Sequence, residues 1–396
     1  ESDPLVDQLR NAFGRSPVDV SEVERVASRL GLLREACGDP VERPPLPDLL
    51  TVPLVQHAGD AATPLVSAGE PVLKGQLIAD CEGSLGAPVH ASSSGKVVAI
   101  EPWPVPRRHG DNAPCIVIEC DGEDRSIEPS ETTTDYRELA PDTLLARILR
   151  GGIVGLGGAV FPTAQKLMQA TACELDYLIL NGVECEPYLS CDDTLMRERA
   201  DAIVAGGRLL LEVLGIDTAY LAVESDKPEA LDALADALGR SGDARFTLKQ
   251  VPTIYPSGAE DQLVQLVANR EVPSGGLPTD AGCLVQNVGT AAAVYEAVAL
   301  GRPLVRRLVT VSGRAVARPG NVLTPIGATI GDLIEHCGGV RDEVAAVAAV
   351  SPQVAEAALK RIEVTYEALP AIFDPEAAMQ EAAQPPKLDV ELDPQR

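Results

Sequence analysis

The chain has 396 residues, 45% of them apolar, enough for two or three packed domains, but only 3% are aromatic, so Ala, Val, Leu and Gly must fill the cores. A net charge of −26 argues against nucleic acid and anionic lipid as partners, because both would be repelled. Nine scattered cysteines contain no C-x-x-C pair, which argues against a zinc ribbon or a ferredoxin run and fits a reducing compartment.

Residues 1–45 read as a helical extension. They begin Glu1-Ser2-Asp3-Pro4, with no initiator Met and no secretory-leader pattern, as in a processed or trimmed chain. Val23, Val26, Ala27, Leu30 and Leu33 fall near helical spacing, and Pro40, Pro44, Pro45 and Pro47 close the stretch. Such a stripe serves a cap more often than a docking helix.

Residues 46–125 change character. Short β-branched runs alternate with Gly and Pro, an all-β pattern of short strands and frequent turns. The phrases Val66–Gln76 and Ala87–Val97 look like two halves of a lipoyl/biotinyl-type barrel sandwich. The hairpin that would carry a modified Lys reads His90-Ala91-Ser92-Ser93-Ser94, with Lys96 beyond Gly95, so the module is expected to be structural.

Residues 140–303 alternate strand and helix, the mark of an α/β fold with a mostly parallel, Rossmann-like sheet. Predicted strands are Tyr177–Leu180, Thr218–Val223 and Leu284–Gln286, with helices at Asp261–Ala268 and Thr290–Leu300. Residues 304–340 return to short strands, Leu308–Ser312 and Val322, and a helix Ile330–Cys337, a β-grasp pattern. Residues 341–396 are Ala/Glu-rich and helical, then Pro-rich, acidic and disordered by composition. No apolar run approaches the ~20 residues needed to span a bilayer, so direct membrane insertion is not expected.

The chemistry concentrates in four places. Gly151–Thr163 is glycine-rich and ends in Phe161-Pro162-Thr163, with Lys166 a turn later. Gly155, Gly157 and Gly158 let the backbone approach a planar or anionic ligand, and the helix opened by Pro162 favours phosphate. A tight turn explains the glycines alone about as well. Asn181, Glu184 and Glu186 follow directly on a strand, where open α/β folds bind ligands; a solvated acidic loop is the plain alternative. Tyr255, Gly258 and Glu260 form a third cluster, and Asn287 with Thr290 a fourth at another strand-to-helix junction. With only four His and no nucleophile–base pair, no hydrolytic constellation is apparent, which leaves the chemistry to a cofactor.

In order, Gly152–Thr163, Asn181–Asp193, Tyr255–Glu260, Arg270–Pro278 and Gln286–Ala291 resemble the signature run of RnfC, the C-type component of the Rnf electron-transport complex. That family is related to the flavin-binding subunit of respiratory complex I. The resemblance covers about residues 46–340 and names the end modules as a barrel-sandwich hybrid and an SLBB-like β-grasp. It implies FMN on the glycine loop and NADH stacking over it, with no essential protein acid or base. Gly155, Gly157, Gly158, Lys166, Asn181, Glu260 and Asn287 would face the flavin. Phe161, Glu184 and Glu186 would lie near the nicotinamide nucleotide. Thr163, Tyr255, Gly258 and Thr290 complete the expected cofactor set.

The resemblance also implies other subunits of an electron-transfer complex as partners, and a peripheral position on the cytoplasmic face of the inner membrane through them. The sequence departs from the family at Val160, where Gly is usual, and at Ala259 and Asp261, where Gly and Lys are usual. The cysteine-rich segments that normally follow the β-grasp are missing, so no iron–sulfur cluster is expected from this chain and a partner must take the electrons. A redox-inactive scaffold that keeps the fold is the alternative, and a ligand-binding β-grasp without electron transfer is a third reading.

Overall fold

The computed structural model describes residues 18–19, 40–81, 85–105, 112–129, 136–186, 188–313 and 315–341. The helix expected around residues 19–33 and the tail expected over 341–396 lie, but for Asp19 and Arg341, outside them. A two-residue strand, β1 (Val18–Asp19), comes first.

The all-β segment builds two facing sheets. One has the order β2-β8-β7-β4, from β2 (Leu49–Pro53), β4 (Pro71–Val72), β7 (Gly95–Pro104) and β8 (Asn112–Cys120). The other has the order β3-β5-β6, from β3 (Thr63–Pro64), β5 (Leu77–Asp80) and β6 (Val89–His90). Alternate residues point inward, so Leu50, Val52, Ile116 and Ile118 meet Ile78 and Val97 in one core. The lip Ala91–Ser94 after β6 is buried, with Ser93 Oγ donating to Asp124 at 2.9 Å and Ser94 Oγ to Asp121 at 2.7 Å. A swinging arm needs an exposed tip. This lip is sealed, and Lys96 sits within the β7 ladder.

The central unit runs α1 (Pro141–Arg150), α2 (Thr163–Ala170), β9 (Tyr177–Gly182), α3 (Cys191–Leu214), β10 (Ala219–Glu224), α4 (Pro228–Ser241), β11 (Phe246–Val251), β12 (Ile254–Tyr255), α5 (Glu260–Ala268), β13 (Cys283–Asn287) and α6 (Val288–Leu300). Four strands form an all-parallel sheet in the order β11-β10-β9-β13. Parallel strands need crossovers, which the intervening helices supply. β12 stands apart and pairs antiparallel with β1. Both sheet faces are covered. Leu178, Leu180, Leu221, Val223 and Leu284 turn toward α1–α4 and α6, whereas Ile179, Ala222 and Val285 turn toward α5. Each buried Leu or Val contributes roughly 1.5–3 kcal/mol.

Helix α6 is buried along most of its length and lies against α3 so closely that a Cβ on Gly206 would stand 1.8 Å from the Ala291 carbonyl oxygen. The sequence pattern does not predict strand β11. It is one edge of the sheet, and unlike the buried strand β13 at the other edge its Thr247, Lys249 and Gln250 are not buried, so it lacks the apolar run that marks a covered strand. Helix α6 also begins two residues before the expected Thr290, because Asn287 caps it.

The third unit is the antiparallel pair β14 (Arg306–Val311) and β15 (Gly320–Pro325), followed by α7 (Ile330–His336). Thr329 and Asp332 close a capping box at the start of α7. Val311, Val316, Val322, Leu333 and Cys337 make its small core. Asn321 of β15, 1% exposed, donates to Thr194 Oγ1 of α3 at 2.8 Å and accepts from Thr310 Oγ1 at 2.8 Å. This polar contact ties the unit to the start of α3.

Candidate functional site

Strand order reverses between β9 and β13, because β9 connects to β10 on one side and β13 enters on the other. In open parallel sheets the crevice beyond the carboxyl ends of two such strands is where loops diverge and a ligand fits. Here β9 ends at Asn181-Gly182 and β13 at Asn287. The glycine segment lies across this crevice. The Leu156 amide donates to Thr290 Oγ1 at 2.8 Å, and a Cβ on Gly157 would stand 3.1 Å from that of Asn287.

Within the segment, Gly157, Gly158 and Ala159 are exposed. A Cβ on Gly158 would meet nothing within 4 Å, and one on Gly155 nothing closer than 3.5 Å. The loop therefore presents bare backbone with open space above it. The barrel sandwich holds it from behind: Ala58 N donates to the Val160 carbonyl at 3.0 Å, and Gln165 Nε2 to the Gly86 carbonyl at 3.0 Å. Val160 takes a left-handed φ of 45°, a strained conformation for a β-branched residue.

Lys166, on the first turn of α2, reaches the crevice floor. Its Nζ donates to the Val285 carbonyl at 2.8 Å and to Glu260 Oε1 at 2.9 Å. Asn181 joins two loops, donating to the Gly258 carbonyl at 3.0 Å and accepting from Val183 N at 2.9 Å. Asn287 Oδ1 accepts from Gly289 N at 2.8 Å, and its amide donates to Asp192 at 2.6 Å. Thr163 and Thr290 are fully buried and so shape the floor beneath the open surface.

The two acids after β9 part company. Glu184 is buried and accepts from the Asp192 and Asp193 amides, at 3.0 and 3.2 Å, at the start of α3. It thus compensates the helix dipole and is not free for sugar hydroxyls. Burial nevertheless raises its pKa against those donors. Glu186 remains exposed, as do Tyr188 and Tyr255.

Burial, with the Glu184 charge next to it, lifts Asp192 to about 7. Cys185 is pushed up to about 11 by burial, and Cys191 is raised too, so both are inert thiols. Among the described residues no cluster of His, Cys, Asp and Glu could hold a metal ion.

The structure thus pairs Gly157 with Asn287, Lys166 with Glu260 and Asn181 with Gly258, and ties the loop of Gly155 and Gly158 to Thr290 through Leu156. Phe161, half-buried, belongs to the glycine loop, while exposed Glu186 follows β9 and exposed Tyr255 ends β12. Sequence reasoning does not single out Glu224. This acid, at the carboxyl end of β10, is 1% exposed and faces Lys227 Nζ at 3.4 Å. Burial raises it to about 7. A signal was present, since Val223-Glu224-Ser225-Asp226-Lys227 puts charge directly after an apolar strand.

Three family descriptions match this chain in order: the RnfC barrel sandwich hybrid domain over residues 34–123, the Nuo51 FMN-binding domain over 148–296 and the SLBB domain over 308–352. The C-type component of the ion-translocating oxidoreductase complex of Pseudomonas aeruginosa is 48% identical over 299 residues, 76% of this chain and 38% of that protein. The corresponding component of the proton-translocating ferredoxin:NAD(+) oxidoreductase complex of Clostridium ljungdahlii is 41% identical over 315 residues, 80% of this chain and 68% of that protein. Among solved structures, an NAD+-reducing [NiFe]-hydrogenase in the H2-reduced state aligns at TM-score 0.44 and 29% identity over 50% of this chain and 39% of that one. The chain therefore spans well under half of the Pseudomonas relative and about two thirds of the clostridial one. On this identity and coverage it belongs to the RnfC family of ion-translocating oxidoreductase complexes.

Proposed function

We propose that this chain binds FMN over the Gly155–Gly158 loop, takes reducing equivalents from NADH there and passes electrons to a partner protein of the same complex. The observation that carries this reading is the crevice at the strand-order reversal. It is roofed by exposed glycine backbone, floored by Lys166, and lies within the segment that matches an FMN-binding domain.

The residues suit such a group. A flat ring needs close backbone approach, which Gly157 and Gly158 allow. A phosphate needs a cation with an exchangeable partner, and Lys166 is paired with Glu260, a half-exposed carboxylate. Asn181 and Gly258 hold the opposite wall in register. Exposed Glu186 offers acceptors for sugar hydroxyls, while Phe161 and Tyr255 offer ring faces. Bound FMN would supply hydride acceptance and onward electron donation; the protein contributes position and electrostatics.

The clostridial relative belongs to a complex that couples ferredoxin and NAD(+) to proton translocation. By extension this chain serves in such an assembly, on the cytoplasmic face of a membrane and attached through its partners. No helix among the described residues is long and apolar enough to cross a membrane.

The test is a titration with FMN followed by NADH without oxygen, reading the visible flavin absorbance. Saturable binding and bleaching support the reading. Binding without bleaching leaves a flavoprotein with no working nucleotide site. Absence of binding in folded protein overturns the redox reading and favours a scaffold.

A further inference from the structure

A second cavity, of about 780 Å³, lies where the three units meet, behind the glycine loop and along one flank of α6. That volume is in the range of small-molecule sites. Its lining inverts the charge of the chain. The whole sequence has 33 basic residues against 59 acidic ones. The cavity is lined by Arg43, Lys74, Arg199, Arg302, Arg306 and Arg307, and by only two acids, Asp192 and Glu296. Random placement in so acidic a chain would give the opposite ratio.

Part of this charge is answered within the protein. Lys74 and Arg306 share Asp124, and Arg199 pairs with Glu296. The rest is not. Arg43 and Arg302 are exposed, and no hydrogen bond or ion pair joins either side chain to another described residue. Arg307 is half-buried, donates to the Leu156 carbonyl at 3.2 Å and has no carboxylate within ion-pair distance among the described residues. Burial pulls its guanidinium below the ordinary value. Exposed Arg43 and Arg302, with half-buried Arg307 beside Asp192, leave the cavity lining with more positive charge than its two acids balance, and an anion placed there would be attracted. Between them lie apolar walls from Ile127, Leu195, Ala293 and Leu323, the surroundings of an uncharged body.

We propose that this cavity binds a phosphate-bearing small molecule with an apolar or planar body, of the size and charge of a nucleoside diphosphate. Guanidinium forks match phosphate oxygens in pairs, and several of them spread along one cavity suit a diphosphate better than a single carboxylate. The site adjoins the flavin crevice, sharing Leu156 of the glycine loop, but extends away from it. Gly289, Ala292 and Glu296 of its wall lie along α6, whereas Lys166 and Asn181 do not line it.

The test is calorimetric titration of the full chain, saturated with FMN, with ADP, with pyrophosphate and with adenosine as the uncharged control. Saturable binding of ADP and pyrophosphate, absent for adenosine and weakened by added salt, is expected. The double variant R43A/R302A removes two side chains without partners among the described residues, so the fold is retained, as circular dichroism will show. It should bind both anions at least tenfold more weakly while its FMN affinity and flavin bleaching by NADH stay unchanged. Three results would overturn the proposal: no saturable binding at millimolar anion, equal binding by the double variant, or displacement of the anions by FMN or NADH. The last would assign them to the flavin crevice. Because the titration is repeated on protein without FMN, failure of the flavin reading would not be mistaken for failure of this one.

Discussion

The two ends of the glycine-rich segment use the same residue type for opposite purposes. At Gly151 and Gly152 the missing side chain admits neighbours. A Cβ there would stand 2.7 Å from that of Ala297 and 2.3 Å from the Pro88 carbonyl oxygen of the barrel sandwich. Further on, at Gly158, it leaves space with no atom within 4 Å. The first end is sealed by packing and the second is open over the crevice. The barrel module thus acts on the site from a distance, by fixing where the open half lies.

The largest expected effect tests the seal. Gly152 has φ +64°, so G152V combines a strained backbone with a collision against another backbone. It should cost about 3 kcal/mol or more in denaturant unfolding. G158A, at φ +109° with no collision, should cost about 1–2 kcal/mol of strain alone. Equal losses in the two variants would erase the distinction between the ends.

Two buried titratable groups give a second contrast. His90, beside Gly152 at the sealed end, is held down to about 4 by burial, from an ordinary 6.5. Its folded pKa is depressed, so its contribution to stability is complete above about pH 6.5 and is lost as pH falls toward 4. Glu224, at the carboxyl edge of the sheet, is raised from 4.5 to about 7. It binds its proton more tightly folded than unfolded. Its contribution is therefore complete below about pH 4.5 and is lost as pH rises toward 7. The two slopes oppose each other in one window. E224Q removes the falling one, so its stability relative to wild type should climb by on the order of 3 kcal/mol between pH 4.5 and 7. Parallel stability curves for the two proteins would show that Glu224 is charged throughout.

On the open side, K166A should weaken FMN by ten- to a hundredfold, about 1.4–2.7 kcal/mol, measured by flavin fluorescence titration. The FMN-free protein should lose less than about 1 kcal/mol, because the Lys166–Glu260 pair is partly exposed. A stability loss as large as the affinity loss would make Lys166 a packing residue.

These contrasts bear on what a sequence can disclose. Strands β9, β10 and β13 are legible because both sheet faces are covered and each carries a buried apolar run, although β13 is itself an edge of the sheet. Strand β11, at the opposite edge, is not, since Thr247, Lys249 and Gln250, none of them buried, carry no such run. Strand ends point to Asn181 and Asn287, but the strand order that makes them neighbours depends on long-range pairing. Glu184 and Glu186 are equivalent in the chain. Only the start of α3, which engages Glu184 alone, separates them.

The smallest expected effect concerns Val160, two residues past Gly158 at the open end. Val160 stands where the resemblance implies Gly, and its φ of 45° is the left-handed conformation that Gly adopts without strain. A β-branched side chain in the left-handed region costs about 1–2 kcal/mol, and Gly there gives back about 0.5–1 kcal/mol of that gain through the greater freedom of its unfolded chain. V160G should therefore stabilise the protein by about 0.5–1 kcal/mol. The hydrogen bond from Ala58 N to the Val160 carbonyl should survive, since it belongs to the backbone. FMN affinity should then stay the same or rise, because the conformation that opens the loop is kept with less strain. If V160G instead loosens FMN while stabilising the fold, the valine rather than the barrel contact sets the loop's shape, and the sealed end has less control over the open one than the packing implies.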